Sequence, residues 1–473
     1  MAGKSTQIYS VQIGEAITAG GDKDDNFLPD PTTAGVSFSG MATTTATVDA
    51  FAGDEAFHLE DQGRRTPGEN KPAAIGIING SGSAKFGAAQ GEFIRAMYPD
   101  EISLSHRLRT ANGSDPDSVA FGKVLNSSMG LYKPSAATVT CADDGANEGQ
   151  FIIANGDNTK VILGAPVRVY HKAAGQATFN HEYAVVTGKS VGGTNTTYTV
   201  HPKFEHIPQN GDVIQLCYAF YPVIGDASTD SNLSNDIHAQ FDMGGTGSTA
   251  TVRRLASGCR CSGFSITNDN SGASLSMSLR PMVMLQDDAN ASTATTSEPA
   301  GKLLQHRYGC RVDLAASHAG VSSGTAASTA RAYLPNFDHS IEVSFETAPD
   351  APETRGVIRG GKHLIHNATC QVSITTENNE DLQRLIAKDE VRTLILGFGP
   401  GGHGTTNSNG AAFILKNASR ADGSANPSAG DQSRIQQVTT LRAVADFNTF
   451  AGSPTGSELN LASAPFILAF PKS

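Results

Sequence analysis

The sequence predicts a mainly β protein, a β-sandwich or barrel with a few short helices, on three observations. Apolar–polar alternation recurs along the chain: Leu275, Met277 and Leu279 alternate with Ser274, Ser276 and Ser278, which is the period of a half-buried strand. Between about 135 and 222, short apolar runs lie about 8–12 residues apart with turn signals between them, the rhythm of a small sandwich or barrel. Composition agrees: the 473 residues include 50 Gly, 21 Pro and no Trp, and only 17% are charged. Disordered chains carry more charge and fewer β-branched residues.

Taken in order, "TQIYSVQIGE" (residues 6–15) alternates as a strand, and "DKDDNFLPDPTTAG" (22–35) is a loop. Residues 89–98 read as a short helix with Phe93, Ile94 and Met97 on one face, stopped by Pro99. A second helix begins at Asp117 or Ser118, with Val119, Val124 and Leu125 as apolar contacts and Gly130 as its C-cap. In the following module "AATVTC", "GQFIIAN", "KVILG", "APVRVYHK", "EYAVVTGK", "TTYTVHP" and "GDVIQLCYAF" are strands. The stretch 259–282 is a hairpin: Phe264 and Ile266 mark its first strand, "NDNSG" its turn, and the serine-backed strand follows. "DDANASTATTSEPAG" and "LAASHAGVSSGTAASTARA" are exposed low-complexity loops. Toward the C-terminus, Ile341, Val343 and Phe345 alternate, as do Cys370, Val372 and Ile374. Asn378 or Asn379 then caps a helix whose stripe is Leu382, Leu385 and Ile386. "TLILGF", "QVTTLRAVADF" and "APFILAF" supply the last strands.

Net charge is −11, which argues against clustered Lys and Arg clamping phosphates and against an anionic membrane partner. The six cysteines are scattered, and only Cys259 and Cys261 lie close. They read as reduced, buried, small apolar residues of a protein folded in a reducing cytosol. The N-terminus "MAGKSTQIYSVQIGE" has no signal-peptide core, and no apolar run reaches the roughly 20 residues of a membrane span.

Motifs with chemical promise fail on context. "GVSSG" (Gly320–Gly324) matches the nucleophile-elbow spacing but sits inside an Ala/Ser/Gly loop. "MAGKST" has the tail of a P-loop without its first glycine or preceding strand. "GFGPGGHG" (Gly397–Gly404) follows a strand, but no helix opens after it to cradle a phosphate. "DKDDN" (Asp22–Asn26) resembles a calcium loop, yet Phe27 and Thr33 occupy the positions that need Gly and Glu. His363, His366 and Cys370 form the one His/Cys cluster, and extended backbone sends the two histidines to opposite faces. No catalytic, metal or cofactor site is expected, and the chain reads as a structural part.

Two stretches carry a family resemblance. Residues 259–282, a hairpin of alternating strands ending in an apolar–Pro–apolar run, resemble the core hairpin of bacteriophage tail tube (major tail) proteins of the siphophage type. The stretch from "HSIEVSFE" to "TLILGF", with its strand, long loop, strand, acidic leucine-bearing helix at Glu380–Lys388 and final strand, resembles that family's second signature. The resemblance covers about 225–470 well and 1–130 loosely; the module at 135–222 and the long loops near 290–330 depart from it.

It implies a virion protein, assembled in the host cytoplasm, whose rings stack into a hollow tail tube. The partners it implies are copies of the same chain, the tape-measure protein and DNA in the lumen without sequence-specific binding, and the tail-terminator and tail-tip proteins, with no membrane. The organisation expected is a first tube-like unit over 1–134 and 223–310, an inserted small β-module over 135–222, and a second tube-like unit over 311–473. Two fused units close as a trimer with pseudo-sixfold symmetry, which length favours over a hexamer of single units. Ser274, Ser276 and Ser278 are the candidate lumen wall, and Leu382, Leu385 and Ile386 the core of the tube-fold helix. Other readings are a decoration, head-completion or tail-tip protein, and, from a different class, a β-rich secreted enzyme or adhesin.

Overall fold

A computed structural model of the chain describes residues 8–15, 70–75, 94–99, 101–109, 115–116, 119–170, 182–204, 206–223, 237–243, 252–269, 272–281, 283–287, 304, 311–316, 332–333, 336–350, 353–354, 357–358, 362–377, 392–399, 410–421, 426–429, 435–443 and 457–472. The first strands are β1 (Ile8–Glu15), β2 (Asn70–Ile75), β3 (Ile94–Pro99) and β4 (Ile102–Arg107). Helix α1 (Ala120–Asn126) leads into β5 (Met129–Tyr132), β6 (Thr138–Asp143), β7 (Gln150–Ala154), β8 (Pro166–Tyr170), β9 (Glu182–Val191), β10 (Asn195–His201) and β11 (Val213–Pro222). Then come β12 (Ile237–Met243), β13 (Val252–Asp269), β14 (Gly272–Arg280), β15 (Val283–Asp287), β16 (Arg311–Ala316), β17 (Ala332–Tyr333), β18 (Asn336–Asp350), β19 (Glu353–Thr354) and β20 (Val357–Ile358). The chain closes with β21 (Lys362–Glu377), β22 (Arg392–Phe398), β23 (Ala411–Arg420), β24 (Asn426–Ala429), β25 (Ile435–Ala443), α2 (Ser457–Ser463) and β26 (Phe466–Pro471). The protein is mainly β, as its alternation predicts, and every pairing among these strands is antiparallel.

Two bodies share one strand. In the first, β6 pairs β7, β7 pairs β10, β10 pairs β9, β9 pairs β8, β8 pairs β11, and β11 returns to β6. That circuit is a closed six-stranded barrel, which leaves no edge within the ring. Its interior holds Val139, Phe151, Ile153, Val167, Val169, Ala184, Val186, Tyr198, Ile214 and Leu216. Strand β11 then runs on past Leu216, and its second half pairs β26 on one side and β5 on the other.

The second body is a broad sheet in the order β4-β14-β13-β18-β21-β25. From β25 it continues through β23 to β26 and β11. One apolar core holds side chains from both ends of this run, from Leu104 and Leu275 to Phe413, Phe466 and Phe470. The sheet therefore curls over its own inner face. Helix α1 lies inside, buried at every position, and Ser127 and Ser128 just after it grip β13. The Cys261 N–H donates to Ser127 Oγ (3.0 Å), and Ser128 Oγ donates to the Cys261 carbonyl (2.6 Å). Those bonds satisfy the backbone where the β13–β14 register slips between Cys261 and Gly263.

At that slip the sheet forks. The first half of β13 pairs β12 and β15, and only the second half pairs β18 and β14. Gly263 permits the crossing: a Cβ there would stand 2.7 Å from the Val343 carbonyl oxygen.

Four local expectations are corrected. Of the helix expected over 89–98, residues 94–98 are described and belong to a strand, with Met97 opposite Pro72 and Ile94 opposite Ile75, while Phe93 lies outside the described residues. A helix of that length has little stability of its own and yields to a pairing partner. The helix expected from Asp117 or Ser118 starts at Ala120, with Val119, Val124 and Leu125 buried as foreseen. Its C-cap is Ser127. Gly130 instead lies in β5, where a Cβ would meet the Tyr221 ring at 2.5 Å. "KVILG" is a turn whose Val161 and Leu163 plug the barrel. Helix α2 is an element that the local sequence pattern does not mark.

Candidate functional site

The hydroxyl strand of the 259–282 hairpin belongs to a much larger pattern. Antiparallel register places Ser276 between Ser105 and Ser265, Ser265 beside Glu342, Glu342 beside Gln371 and Gln371 beside Arg442. The next row reads Arg107, Ser274, Thr267, Ser340, Ser373 and Thr440. A third reads Ser103, Ser278, Gly263, Ser344 and Thr369. Side chains two apart on a strand share a face, so these rows tile one surface of six strands. Rows lie about 7 Å apart along the strands, and neighbours within a row about 5 Å apart.

Burial confirms the sidedness. Ser103, Thr267, Glu342, Ser344, Thr369, Gln371 and Arg442 are exposed, while Ser105, Ser274, Ser276, Ser278, Ser265, Ser340, Ser373 and Thr440 are half-buried by their neighbours. The residues between them point into the core: Leu275, Met277 and Leu279 are 0%, 1% and 0% exposed. The same rows on that side run Leu104, Met277, Phe264, Val343 and Cys370, and Leu275, Ile266, Ile341, Val372 and Leu441. Burial of each such side chain stabilises by about 1.5–3 kcal/mol, which fixes the register and hence the outer face.

Hydrogen bonds on the outer face stay mostly within it. Ser105 Oγ and Ser276 Oγ are 2.6 Å apart, and Ser373 Oγ and Thr440 Oγ1 are 3.1 Å apart. Ser262 Oγ donates to the Ser278 carbonyl at 3.3 Å. Arg442 Nε donates to Ser419 Oγ at 3.3 Å, and Arg280 pairs with Glu101 at 2.9 Å. Carboxylates take the middle strand, where Asp338, Glu342 and Glu346 are all exposed on β18. Where the sheet forks, Glu101, Ser262, Ser265, Ser276, Ser278, Glu342 and Ser344 line a shallow groove of about 460 Å³ over Phe264, Val343 and Phe345.

The rest of the sheet differs. Strands β22, β23, β26 and the second half of β11 bury both faces. Phe413, Leu415, Phe466, Leu468, Tyr218 and Phe220 point into the main core. On the other side, Ile395, Ala412, Ile414, Ile467 and Ala469 pack beneath Ala165, Tyr183 and Val185 of the barrel and Leu461 and Ala464 at α2. Lys416 is 2% exposed and caps α2, donating to the Leu461 and Ala462 carbonyls at 2.7 and 2.8 Å. At the barrel's foot the Arg168 guanidinium donates to Gln215 Oε1, and Gln215 Nε2 donates to the Lys472 carbonyl at 2.7 Å.

Ser274, Ser276 and Ser278 therefore share one solvent-side surface, together with Ser103, Ser105, Ser265, Ser340, Ser344 and Ser373. Those partners lie on strands far apart in sequence, and only the alternation in each strand marked them. Leu382, Leu385 and Ile386, on the expected helix, lie outside the described residues, as do Cys310, the Gly320–Gly324 motif and Asp22–Asn26. Cys141, Cys217, Cys259, Cys261 and Cys370 are buried and unpaired by disulfides. Burial pushes the Cys141, Cys217 and Cys261 thiols up to about 12, and that of Cys370 well above its usual value, so none of these is a ready nucleophile. Among the described residues no three His, Cys, Asp or Glu side chains converge on a metal-sized site, and no helix is long and apolar enough to cross a membrane. No protein-family model matches the chain, and no curated protein matches it.

Proposed function

We propose that this chain is a structural subunit of a bacteriophage tail tube, assembling as rings that stack around a hollow lumen. One observation carries the reading: a six-stranded sheet face tiled by serine and threonine, with carboxylates on its middle strand. A wall of that kind gives a passing polyanion neutral hydroxyls and no row of cations to grip, so DNA slides instead of binding. The apolar reverse side, fully buried, makes the wall stiff. In this reading Ser274, Ser276 and Ser278 face the lumen, the tape-measure protein and then DNA occupy it, and the barrel lies on the outside. Residues 1–134 with 223–310, and residues 311–473, act as two tube-like units, which favours three chains per ring.

Negative-stain electron microscopy of the purified chain over a concentration series tests this. Hollow tubes or stacked discs are the expected outcome, with end-on averages reporting three or six subunits. Particles that stay monomeric at the highest concentration, even with tail-tip complexes added as initiators, would overturn it.

A further inference from the structure

The barrel carries two Asn-Gly pairs that share a sequence and differ in their surroundings. Asparagine before glycine is the pair most open to intramolecular attack, because glycine brings no Cβ to hinder the backbone nitrogen. At Asn155–Gly156 the amide is held on both sides. Asn155 Nδ2 donates to the Gly192 and Gly193 carbonyls at 2.8 and 3.1 Å, and Asn155 Oδ1 accepts from Thr196 Oγ1 at 2.7 Å. These bonds tie the turn after β7 to the β9–β10 hairpin, and swinging the amide onto the Gly156 nitrogen would break all three.

Asn210–Gly211 occupies the turn that enters β11. The Asp212 N–H closes this turn on the Gln209 carbonyl at 2.9 Å, and Gly211 takes φ +88° at its third position. Asn210 is exposed, and its amide has no hydrogen-bond partner among the described residues. A Cβ built on Gly211 would meet nothing within 4 Å, and the same holds at Gly156, so the space around the glycine is open at both pairs and the difference lies in how the asparagine amide is held. Two carboxylates brace the loop from below: Asp144 Oδ1 accepts the Asn210 N–H at 2.8 Å, and Asp212 Oδ2 accepts the Gln209 N–H at 2.8 Å. One contact opposes reaction, the Gly211 N–H donating to the Cys141 carbonyl at 2.9 Å.

We propose that Asn210 is a self-deamidation site of the folded protein and that Asn155 is protected. The Gly211 nitrogen attacks Asn210 Cγ and loses its proton to solvent. The new N–Cγ bond forms as the Cγ–Nδ2 bond breaks, and the nitrogen leaves as ammonia. Water then opens the five-membered imide at either carbonyl, leaving aspartate or isoaspartate. The product sets a new negative charge beside Asp144 and the buried Asp212, and isoaspartate lengthens the backbone of the turn that leads into the strand shared by barrel and sheet. The inference stands apart from the tail-tube reading.

Peptide mass mapping after prolonged incubation of the intact protein in mildly alkaline buffer tests it. With three side-chain bonds against one backbone bond, Asn210 should convert on the order of 100-fold faster than Asn155. In denaturant both pairs should convert at similar rates, since each then precedes an unhindered glycine. Thr196→Val, which removes one bond from the Asn155 amide, should speed Asn155 by about fivefold and leave Asn210 unchanged. Equal rates at the two sites in the folded protein, or conversion confined to Asn155, would overturn the proposal.

Discussion

Phe413 and Ser276 both sit on strands of one continuous sheet, yet their strands solve opposite problems. Around Phe413 the sheet is covered twice, by the shared core on one face and by the barrel and α2 on the other. Around Ser276 it is covered once, and the second face is hydroxyl. The difference is written in composition. Strand β23 begins Ala-Ala-Phe-Ile-Leu and β26 begins Phe-Ile-Leu-Ala-Phe, near-continuous apolar runs, whereas β14 alternates Ser and Leu or Met. A run with no polar positions has two faces to hide. The covered half therefore anchors the molecule, and the open half is free to present a surface.

The strongest way to break that contrast is in the covered half. Phe413 is 0% exposed and packs on Phe466 with ring centroids 5.8 Å apart. Phe413→Ala is expected to cost about 3–5 kcal/mol, the price of a cavity that sheets pinned on both sides cannot collapse. A loss of that size in unfolding free energy, read from the shift in denaturant midpoint multiplied by m, supports the two-sided burial. A loss below about 1 kcal/mol would mean that this half is as yielding as a surface strand.

How much of this was legible beforehand follows the same divide. Alternation is a local signal, so the inward sets Leu275, Met277, Leu279 and Ile341, Val343, Phe345 could be read strand by strand, and with them the outward serines. The apolar run at 394–398 was equally visible as a buried strand, and that at 466–470 as a strand. The assembled rows were not legible, because Ser105 meets Ser276 across 171 residues and Ser373 meets Thr440 across 67. Nothing in the sequence of β11 announces that Leu216 ends one body and Cys217 begins another, since both need the same buried apolar strand. Helix propensity at 94–98 failed for the converse reason: a weak local preference lost to pairing with residues 70–75. Helix α2, at seven residues, depends on its packing and on Lys416 at its C-terminal carbonyls.

The fork between the two arms of β13 gives a sharper and smaller test. Gly263→Ala would place a methyl 2.7 Å from the Val343 carbonyl oxygen, a backbone atom that can retreat only by moving β18. About 1–3 kcal/mol of destabilisation is expected. The larger effect should be geometric, a splaying of β13 from β18 that disturbs the row of Ser278, Ser344 and Thr369. Thermal denaturation reports the first. Faster amide exchange at 340–344, with exchange at 413–415 unchanged, reports the second. Uniform loss of protection across both halves would show that they do not separate energetically.

The smallest expected effect is the most informative about the open face. Ser276→Ala deletes a hydroxyl that meets Ser105 Oγ at 2.6 Å on a solvent-side surface, where water replaces the lost partner. Stability should change by no more than about 0.5 kcal/mol in either direction. Alanine also keeps the small size and the strand geometry, so an isolated subunit has little reason to preserve serine there. If the rows of hydroxyls exist for folding, replacing Ser265, Ser276 and Ser278 together by alanine should lower the melting temperature in proportion. If they exist to present a slippery wall, the triple variant should melt with the parent and form the same assemblies. Lysine at those three positions should then impede only the passage of DNA, by putting cations where the parent has none.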